Sequence, residues 1–288
     1  MEQKESYKEI LKATTLFGGV KVFGILISIL RSKAIAIFIG AEGMGIASLL
    51  LTTVNLVNGL TNLGLDKSGI KEVALVSETK SEKELLRTTG LLMRLIWGTA
   101  VLGALAMLLF SPLLSWFAFG NYLYTISFIW LSLAMVFMHL TNGRLAILQG
   151  LRKHRALAKA NIWGSFIALL LTVPLYYYFG INAIVPAIII STMITLVITY
   201  KYSLGIYFKA VRVNFVKAYR EGQPMIKLGL VLSFSGIMSL LAGYLLQVYI
   251  SSINGTEAVG FYNAGYIILN SYLGLIFNAM ATDYFPRL

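Results

Sequence analysis

The apolar residues of this chain come in long runs that short polar connections separate. Eight runs can be marked, at residues 14–40, 45–65, 88–110, 122–148, 157–179, 182–202, 225–253 and 259–280. Most are about 20 residues or longer, which is the length that a helix needs to cross a hydrocarbon core about 30 Å thick. Lipid offers the backbone no hydrogen-bond partners, so each run must be helical. The pattern therefore predicts an all-α membrane protein with about eight transmembrane helices.

Composition agrees with a membrane protein and excludes several kinds of site. Hydrophobic residues make up 58% of the chain and charged residues 12%, whereas soluble domains carry about 25% charged residues. The chain has no cysteine, which rules out disulfides, thiolate metal ligands and a cysteine nucleophile. We expect no catalytic residue, metal or cofactor, and therefore a transporter and not an enzyme.

Basic residues alternate along the connections between the runs. The N-terminal segment, the second, fourth and sixth connections and the ends of the runs that adjoin them hold 19 of the 24 Lys and Arg residues, and the other connections hold none. By the positive-inside rule, the N-terminus then faces the cytoplasm of a multi-pass protein in a bacterial inner membrane. The net charge of +12 is explained by this anchoring beside the bilayer, so no nucleic-acid partner is expected.

A weak internal repeat suggests how the helices are grouped. Shifting the sequence by 215 positions aligns residues 40–45 with 255–260, with three identities in six, and pairs Asn55 with Asn270. Helices 7 and 8 would then be a second copy of helices 1 and 2, as in transporters with duplicated halves. We predict a six-helix lobe at 1–202, a cytoplasmic linker at 203–224 and the start of a second lobe at 225–288.

Polar residues fall on one face of several predicted helices. Such faces commonly reflect only helix packing, but together they also outline a central substrate path. The candidate substrate-binding residues are Lys21, Ser28 and Arg31 on helix 1, Asn55 and Asn62 on helix 2, Arg94 on helix 3, Gln247 on helix 7 and Asn270 on helix 8.

Arg31 is the strongest of these candidates. It lies about 13 Å from the outer end of helix 1, at 1.5 Å per residue, where a cation costs roughly 2.5–3.5 kcal/mol unless it has a partner or a wet cavity. No acidic residue lies within predicted helices 1 to 7 to neutralise it. An unpaired cation inside a bundle favours an anionic ligand, and phosphate suits arginine well.

Short motifs along the chain resemble the O-antigen and polysaccharide flippases of the multidrug/oligosaccharidyl-lipid/polysaccharide exporter superfamily. They are residues 30–33 (LRSK), 40–45 (GAEGMG), 62–65 (NLGL), 147–152 (ILQGLR) and 283–287 (DYFPR). The resemblance implies a two-lobed bundle that moves undecaprenyl-diphosphate-linked oligosaccharide, such as a lipopolysaccharide O-antigen unit, to the outer leaflet. Polysaccharide polymerase and glycosyltransferases would be its functional partners.

Two other functions stay open. A drug or cation antiporter of the same superfamily would keep the fold but would need carboxylates in the membrane. A membrane glycosyltransferase or polymerase would need an acidic metal-binding motif or a large outer loop, and the outer connections are short. Because the resembling transporters have 12 or 14 helices, we also expect that the chain is C-terminally truncated.

Overall fold

A computed structural model describes residues 2–78, 81–204 and 215–284, with side chains at 19, 22–78, 81–204 and 218–269. Every regular element in this part of the chain is helical. The elements are α1 (Glu2–Thr61), α2 (Leu65–Glu78), α3 (Glu82–Leu109), α4 (Ser111–Phe119), α5 (Thr125–Gly150), α6 (His154–Phe179), a 3-10 turn (Gly180–Ala183), α7 (Ile184–Ser203) and α8 (Phe215–Tyr284).

Helices α1 and α8 each contain a sharp break at a glycine. Gly40 has φ 69° and ψ −173°, and Gly255 has φ 79° and ψ 176°. This region of backbone space is essentially open only to glycine. The breaks divide α1 into α1a (2–39) and α1b (41–61), and α8 into α8a (215–254) and α8b (256–284). The two glycines are 215 residues apart, so the sequence repeat is matched by the same backbone conformation.

The described helices account for the eight predicted spans. Five apolar stretches are long enough to cross a membrane, and three of them have 40, 50 and 52 residues. Each of these three is interrupted, at Gly40, at the turn Gly180–Ala183 and at Gly255. Each interruption separates two spans, which confirms the prediction of an all-α membrane protein with about eight transmembrane helices.

Two short helices were not predicted from the hydrophobic pattern. Helix α2 follows α1b and buries Leu65, Ser68, Gly69 and Val73, which share one helical face because they lie at positions i, i+3, i+4 and i+8. Helix α4 is only nine residues long. Both are too short to span a bilayer, so a search for long apolar runs does not detect them.

The apolar core forms two clusters along the bundle. One lies toward the Gly40 end and includes Ile39, Leu50, Phe128 and Ile184. The other lies toward the opposite end and includes Leu65, Leu92, Ile96 and Ile147. Helix α8a begins within the segment that the sequence assigns to a linker, and the division of the chain into lobes stays a prediction.

Candidate functional site

Helices α1b and α8a run antiparallel, and their contact continues at one end into α8b and at the other end into the turn after α1b. Close contacts pair Ser48 with Gln247 near the Gly40 end, Gly59 with Leu240 further along, and Gly64 with Gly229 at the opposite end. We call this contact the seam. It joins the predicted first and second lobes.

Gln247 is the polar centre of the seam. Its side chain is buried, and its amide oxygen Oε1 lies 3.0 Å from the Ser48 hydroxyl and 2.8 Å from the Thr52 hydroxyl. Ser48 and Thr52 are four residues apart and therefore lie on the same face of α1b. Its predicted role in substrate binding stays a prediction, and in this structure its oxygen connects two helices.

Two glycines bring the backbones together at the Gly40 end of the seam. A Cβ atom on Gly45 would overlap with the carbonyl oxygen of Thr256, and a Cβ atom on Gly260 would overlap with the carbonyl oxygen of Ala41. The two contacts are reciprocal, because the 215-residue shift maps Gly45 onto Gly260 and Ala41 onto Thr256. The internal repeat is thus also an approximately symmetric interface.

The opposite end of the seam also has close backbone contacts. A Cβ on Gly64 would overlap with the Gly229 carbonyl. Lys67 Nζ donates a hydrogen bond to the Leu232 carbonyl at 3.1 Å. Nearby, Arg87 pairs with Glu221 at 2.8 Å, although an exposed pair of this kind stabilises by only about 0–1 kcal/mol. The seam is therefore closed at both ends.

Arg31 lies in α1a beside the buried Tyr176 of α6. The guanidinium and the phenol interact electrostatically. The Nε atom of Arg31 is buried and has no hydrogen-bond partner among the described residues. A buried donor without an acceptor is costly, so this side chain has capacity for a further, preferably anionic, partner.

Asparagines of α1b present unused acceptors. The amide oxygens of Asn58 and Asn62 are buried and have no hydrogen-bond partner in the described part of the chain. The Nδ2 atom of Asn62 donates to Asp66 at 2.8 Å. These two asparagines are one helical turn apart, and the half-buried Asn55 is three residues before Asn58. The stripe is suited to groups that donate hydrogen bonds.

The remaining candidates have other surroundings. Ser28 is exposed on α1a. Arg94 is exposed on α3 and lines a groove of about 280 Å³ with Trp97, Gly98 and Val101. The side chains of Lys21 and Asn270 lie outside the described residues. The structure therefore places the predicted residues in several separate environments. Among the candidates on other helices whose side chains are described, Gln247 alone contacts the polar face of helix 2.

A larger cavity of about 570 Å³ lies between α1b, α5 and α7. Apolar side chains line most of it, among them Leu50, Trp130, Ile184 and Ile189. The lining residues include no Lys or Arg to balance the charge of a phosphate, so this cavity does not suit that group.

Sequence reasoning missed three residues that the structure makes prominent. Tyr176 is not among the predicted site residues, although it is buried beside Arg31. Asn58 was overlooked on the stripe of α1b. His139 was overlooked although it is one of two histidines in the chain and lies within an apolar run, which is the signal that could have identified it.

Comparison with solved structures shows a similar fold. The fold is similar to that of a multidrug resistance MATE family transporter of the MOP superfamily, solved in an inward-facing conformation, with a TM-score of 0.67 and 17% sequence identity. The match covers 87% of this chain and 60% of that transporter, so this chain spans about three fifths of its length. No match was found among the curated proteins.

The family follows from the sequence match. The model of the polysaccharide biosynthesis protein family matches residues 10–288. The chain belongs to this family. The resemblance that the sequence motifs indicate is thereby confirmed, and the fold is similar to that of a membrane transporter of the MOP superfamily.

Proposed function

We propose that this protein is a flippase. Its substrate would be an undecaprenyl-diphosphate-linked oligosaccharide, the repeat unit of O-antigen or another surface polysaccharide, which it moves across the bacterial inner membrane by alternating access. Family membership supports a role in polysaccharide biosynthesis. The observation that carries the substrate proposal is the buried Nε donor of Arg31, which has no acceptor among the described residues.

A diphosphate would supply what Arg31 lacks. Its oxygens accept charge-assisted hydrogen bonds, and the planar guanidinium presents donors in a fork that matches phosphate geometry. Tyr176 adds no full charge beside Arg31, so it leaves the cation available for an anion. Lys21 and Arg94 remain proposed secondary contacts to phosphate.

The sugar part would use the asparagine stripe. Sugar hydroxyls are donors as well as acceptors, and the amide oxygens of Asn58 and Asn62 have no donor in the described structure. Asn55, Asn270 and Ser28 are proposed for the same role. The lipid tail would stay in the bilayer, because moving it into an aqueous cavity would expose its apolar surface to water. Glycosyltransferases and a polymerase would make and consume the substrate.

Alternating access would proceed by opening and closing the seam. The similar MATE transporter was solved in an inward-facing conformation, and the reciprocal contacts at Gly45 and Gly260 hold the Gly40 end closed here. A ligand shifts two conformations only by its different affinity for them. Arg31 must therefore bind the diphosphate with comparable strength in both.

A drug exporter of the same superfamily is the second candidate. The similar structure is that of a multidrug resistance transporter, which supports this function to the extent that fold similarity can. It would require an organic cation as substrate, and the positive charge of Arg31 would repel such a ligand.

Deletion of the gene in its own host separates the two functions. A flippase deletion should lose surface polysaccharide and accumulate the lipid-linked oligosaccharide on the cytoplasmic face, with unchanged sensitivity to cationic dyes. Normal polysaccharide together with increased dye accumulation would instead support the drug exporter. Membrane extracts analysed by mass spectrometry and a dye-uptake assay give both results from the same strains.

A further inference from the structure

His139 is a buried titratable residue that the proposed substrate path does not use. It lies in α5 with 0% of its surface exposed. Three helices meet at its ring, since Thr61 of α1b contacts it and a Cβ atom on Gly103 of α3 would lie 3.0 Å from its Cε1 atom. A buried imidazole normally satisfies both of its nitrogens.

The hydrogen bonds around this ring define two proton states. Nδ1 lies 3.0 Å from the Met135 carbonyl oxygen, which only accepts, so Nδ1 carries a hydrogen. Nε2 lies 3.3 Å from the Thr61 hydroxyl, and this hydroxyl also lies 2.7 Å from the Val57 carbonyl oxygen. A hydroxyl has one hydrogen to donate. It can donate to Nε2 or to Val57, but not fully to both.

Each choice fixes the charge of the ring. If Thr61 donates to Nε2, the ring is neutral with its hydrogen on Nδ1. If Thr61 donates to Val57, its oxygen is free to accept, and Nε2–H satisfies it only in the imidazolium. The two arrangements differ by one proton and by the direction of one hydroxyl.

Asp66 is a charged residue close enough to His139 to act on it electrostatically. It lies in the first turn of α2, where the Nδ2 atom of Asn62 holds it at 2.8 Å. Its negative charge favours the imidazolium, and burial opposes it. Substitution of Asp66 should therefore change the proton affinity of the ring.

We propose that His139 is a proton-binding site, in which uptake of one proton turns the Thr61 hydroxyl from the imidazole to the Val57 carbonyl. Thr61 is three residues before Gly64, which contacts Gly229 across the seam. Uptake of a proton would thus change the hydrogen bonding at the end of α1b. This end lies at the seam, which must open during the proposed transport cycle. This assignment does not depend on which substrate is carried.

Nitrogen NMR of the purified chain tests the proposal directly. The chain has two histidines, so His154→Gln leaves His139 as the only imidazole, and ¹⁵N-histidine labelling reports both ring nitrogens. Between about pH 5 and pH 8.5, we expect the neutral ring with hydrogen on Nδ1 at high pH and the imidazolium at low pH. A ring that stays neutral throughout, or carries its hydrogen on Nε2 at high pH, would overturn the proposal.

Substitutions at Thr61 and Asp66 make the test specific. Thr61→Val removes the hydroxyl that accepts from the imidazolium. It should therefore lower the midpoint of the His139 pH titration by about one pH unit, which is a tenfold loss of proton affinity. Asp66→Asn should lower it in the same direction. Thr61→Ser keeps the hydroxyl and should restore the original midpoint, which excludes a general folding defect.

A matched control comes from α6. Thr172 is also buried, and its hydroxyl donates to a carbonyl one turn earlier, that of Ala168, at 2.8 Å. Thr172→Val should therefore leave the His139 midpoint unchanged. An unchanged midpoint in Thr61→Val would overturn the hydroxyl switch. Because no substrate is present, these results stand or fall independently of the flippase proposal.

Discussion

The amide oxygen of Gln247 in α8a lies 3.0 Å from the Ser48 hydroxyl of α1b. Thr52 approaches the same oxygen at 2.8 Å, so one acceptor serves two hydroxyls on the opposite helix. Inside a membrane, water cannot replace these partners. Opening of the seam at this end must separate the groups or expose them to a water-filled cavity.

Cross-linking of this pair should stop transport. The chain has no cysteine, so Ser48→Cys with Gln247→Cys supplies the only two thiols. A short bifunctional thiol reagent with a reducible linkage should join them, abolish export and release activity after reduction. Mass spectrometry of the digested protein measures the cross-link. Leu51→Cys with Leu246→Cys, two exposed positions on the same helices, should give little cross-link. Full export with the seam cross-linked would contradict alternating access through it.

Alanine at Gly45 or Gly260 should open the same end of the seam. A methyl group at Gly45 would overlap with the backbone carbonyl of Thr256, and one at Gly260 with that of Ala41. The backbone cannot move aside as a flexible side chain can. The yield of the Ser48–Gln247 cross-link should fall several-fold in either background. Gly24→Ala and Gly243→Ala are matched controls, because a Cβ at these glycines has no neighbour within 4 Å. Equal yields in all four variants would show that the contact is unimportant.

Substitution of Arg31 should separate function from stability. If Arg31 binds the diphosphate, Arg31→Ala should reduce export at least tenfold with normal protein abundance, because loss of a costly buried cation does not impair insertion. Arg31→Lys should keep part of the activity, since it retains charge without the bidentate fork. Arg31→Glu should be worse than alanine through repulsion of phosphate.

Membrane abundance and surface polysaccharide must be measured together for these variants. If Arg31 only bridges helices, alanine and lysine should both lower abundance, and export should fall in proportion. Lys33→Ala is the control, because Lys33 is exposed near the end of α1a. Normal export by well-expressed Arg31→Ala would end the binding hypothesis.

Topology mapping should place the Gly40 end of the bundle outside. The positive-inside rule predicts external reporters at Glu42, Asn121, Gly180 and Gly255. Internal reporters are expected near Lys80, Lys153 and Lys217. Alkaline phosphatase and fluorescent-protein fusions give complementary readings at each site. An external reading at Lys153 would be incompatible with eight spans and a cytoplasmic N-terminus.

The spans could be predicted because lipid leaves a chain few alternatives. Any long apolar run must be helical, so the pattern alone located the eight spans. The repeat was visible because only glycine can adopt the conformation that Gly40 and Gly255 share. Short helices such as α2 could not be predicted in this way, since neither their length nor their hydrophobicity distinguishes them from connections.

Which helices meet could not be predicted in the same way. A helical wheel places Gln247 on a polar face but does not say that this face meets Ser48. The same limit applies to Arg31, whose neighbour Tyr176 lies 145 positions away along the chain. The same holds for His139, whose ring contacts Thr61 of another helix, a contact that the pattern of its own helix does not reveal.

The reciprocal glycines at the seam have a genetic consequence. Every glycine codon has the form GGN, so a single-base change at its first or second position adds a side chain or ends the chain. Gly45 and Gly260 each face a backbone carbonyl, so neither can compensate for the other when it is lost. In a saturating mutant library selected for export, only synonymous third-base changes should survive at these two codons, while the codons for Gly24 and Gly243 should drift freely to alanine.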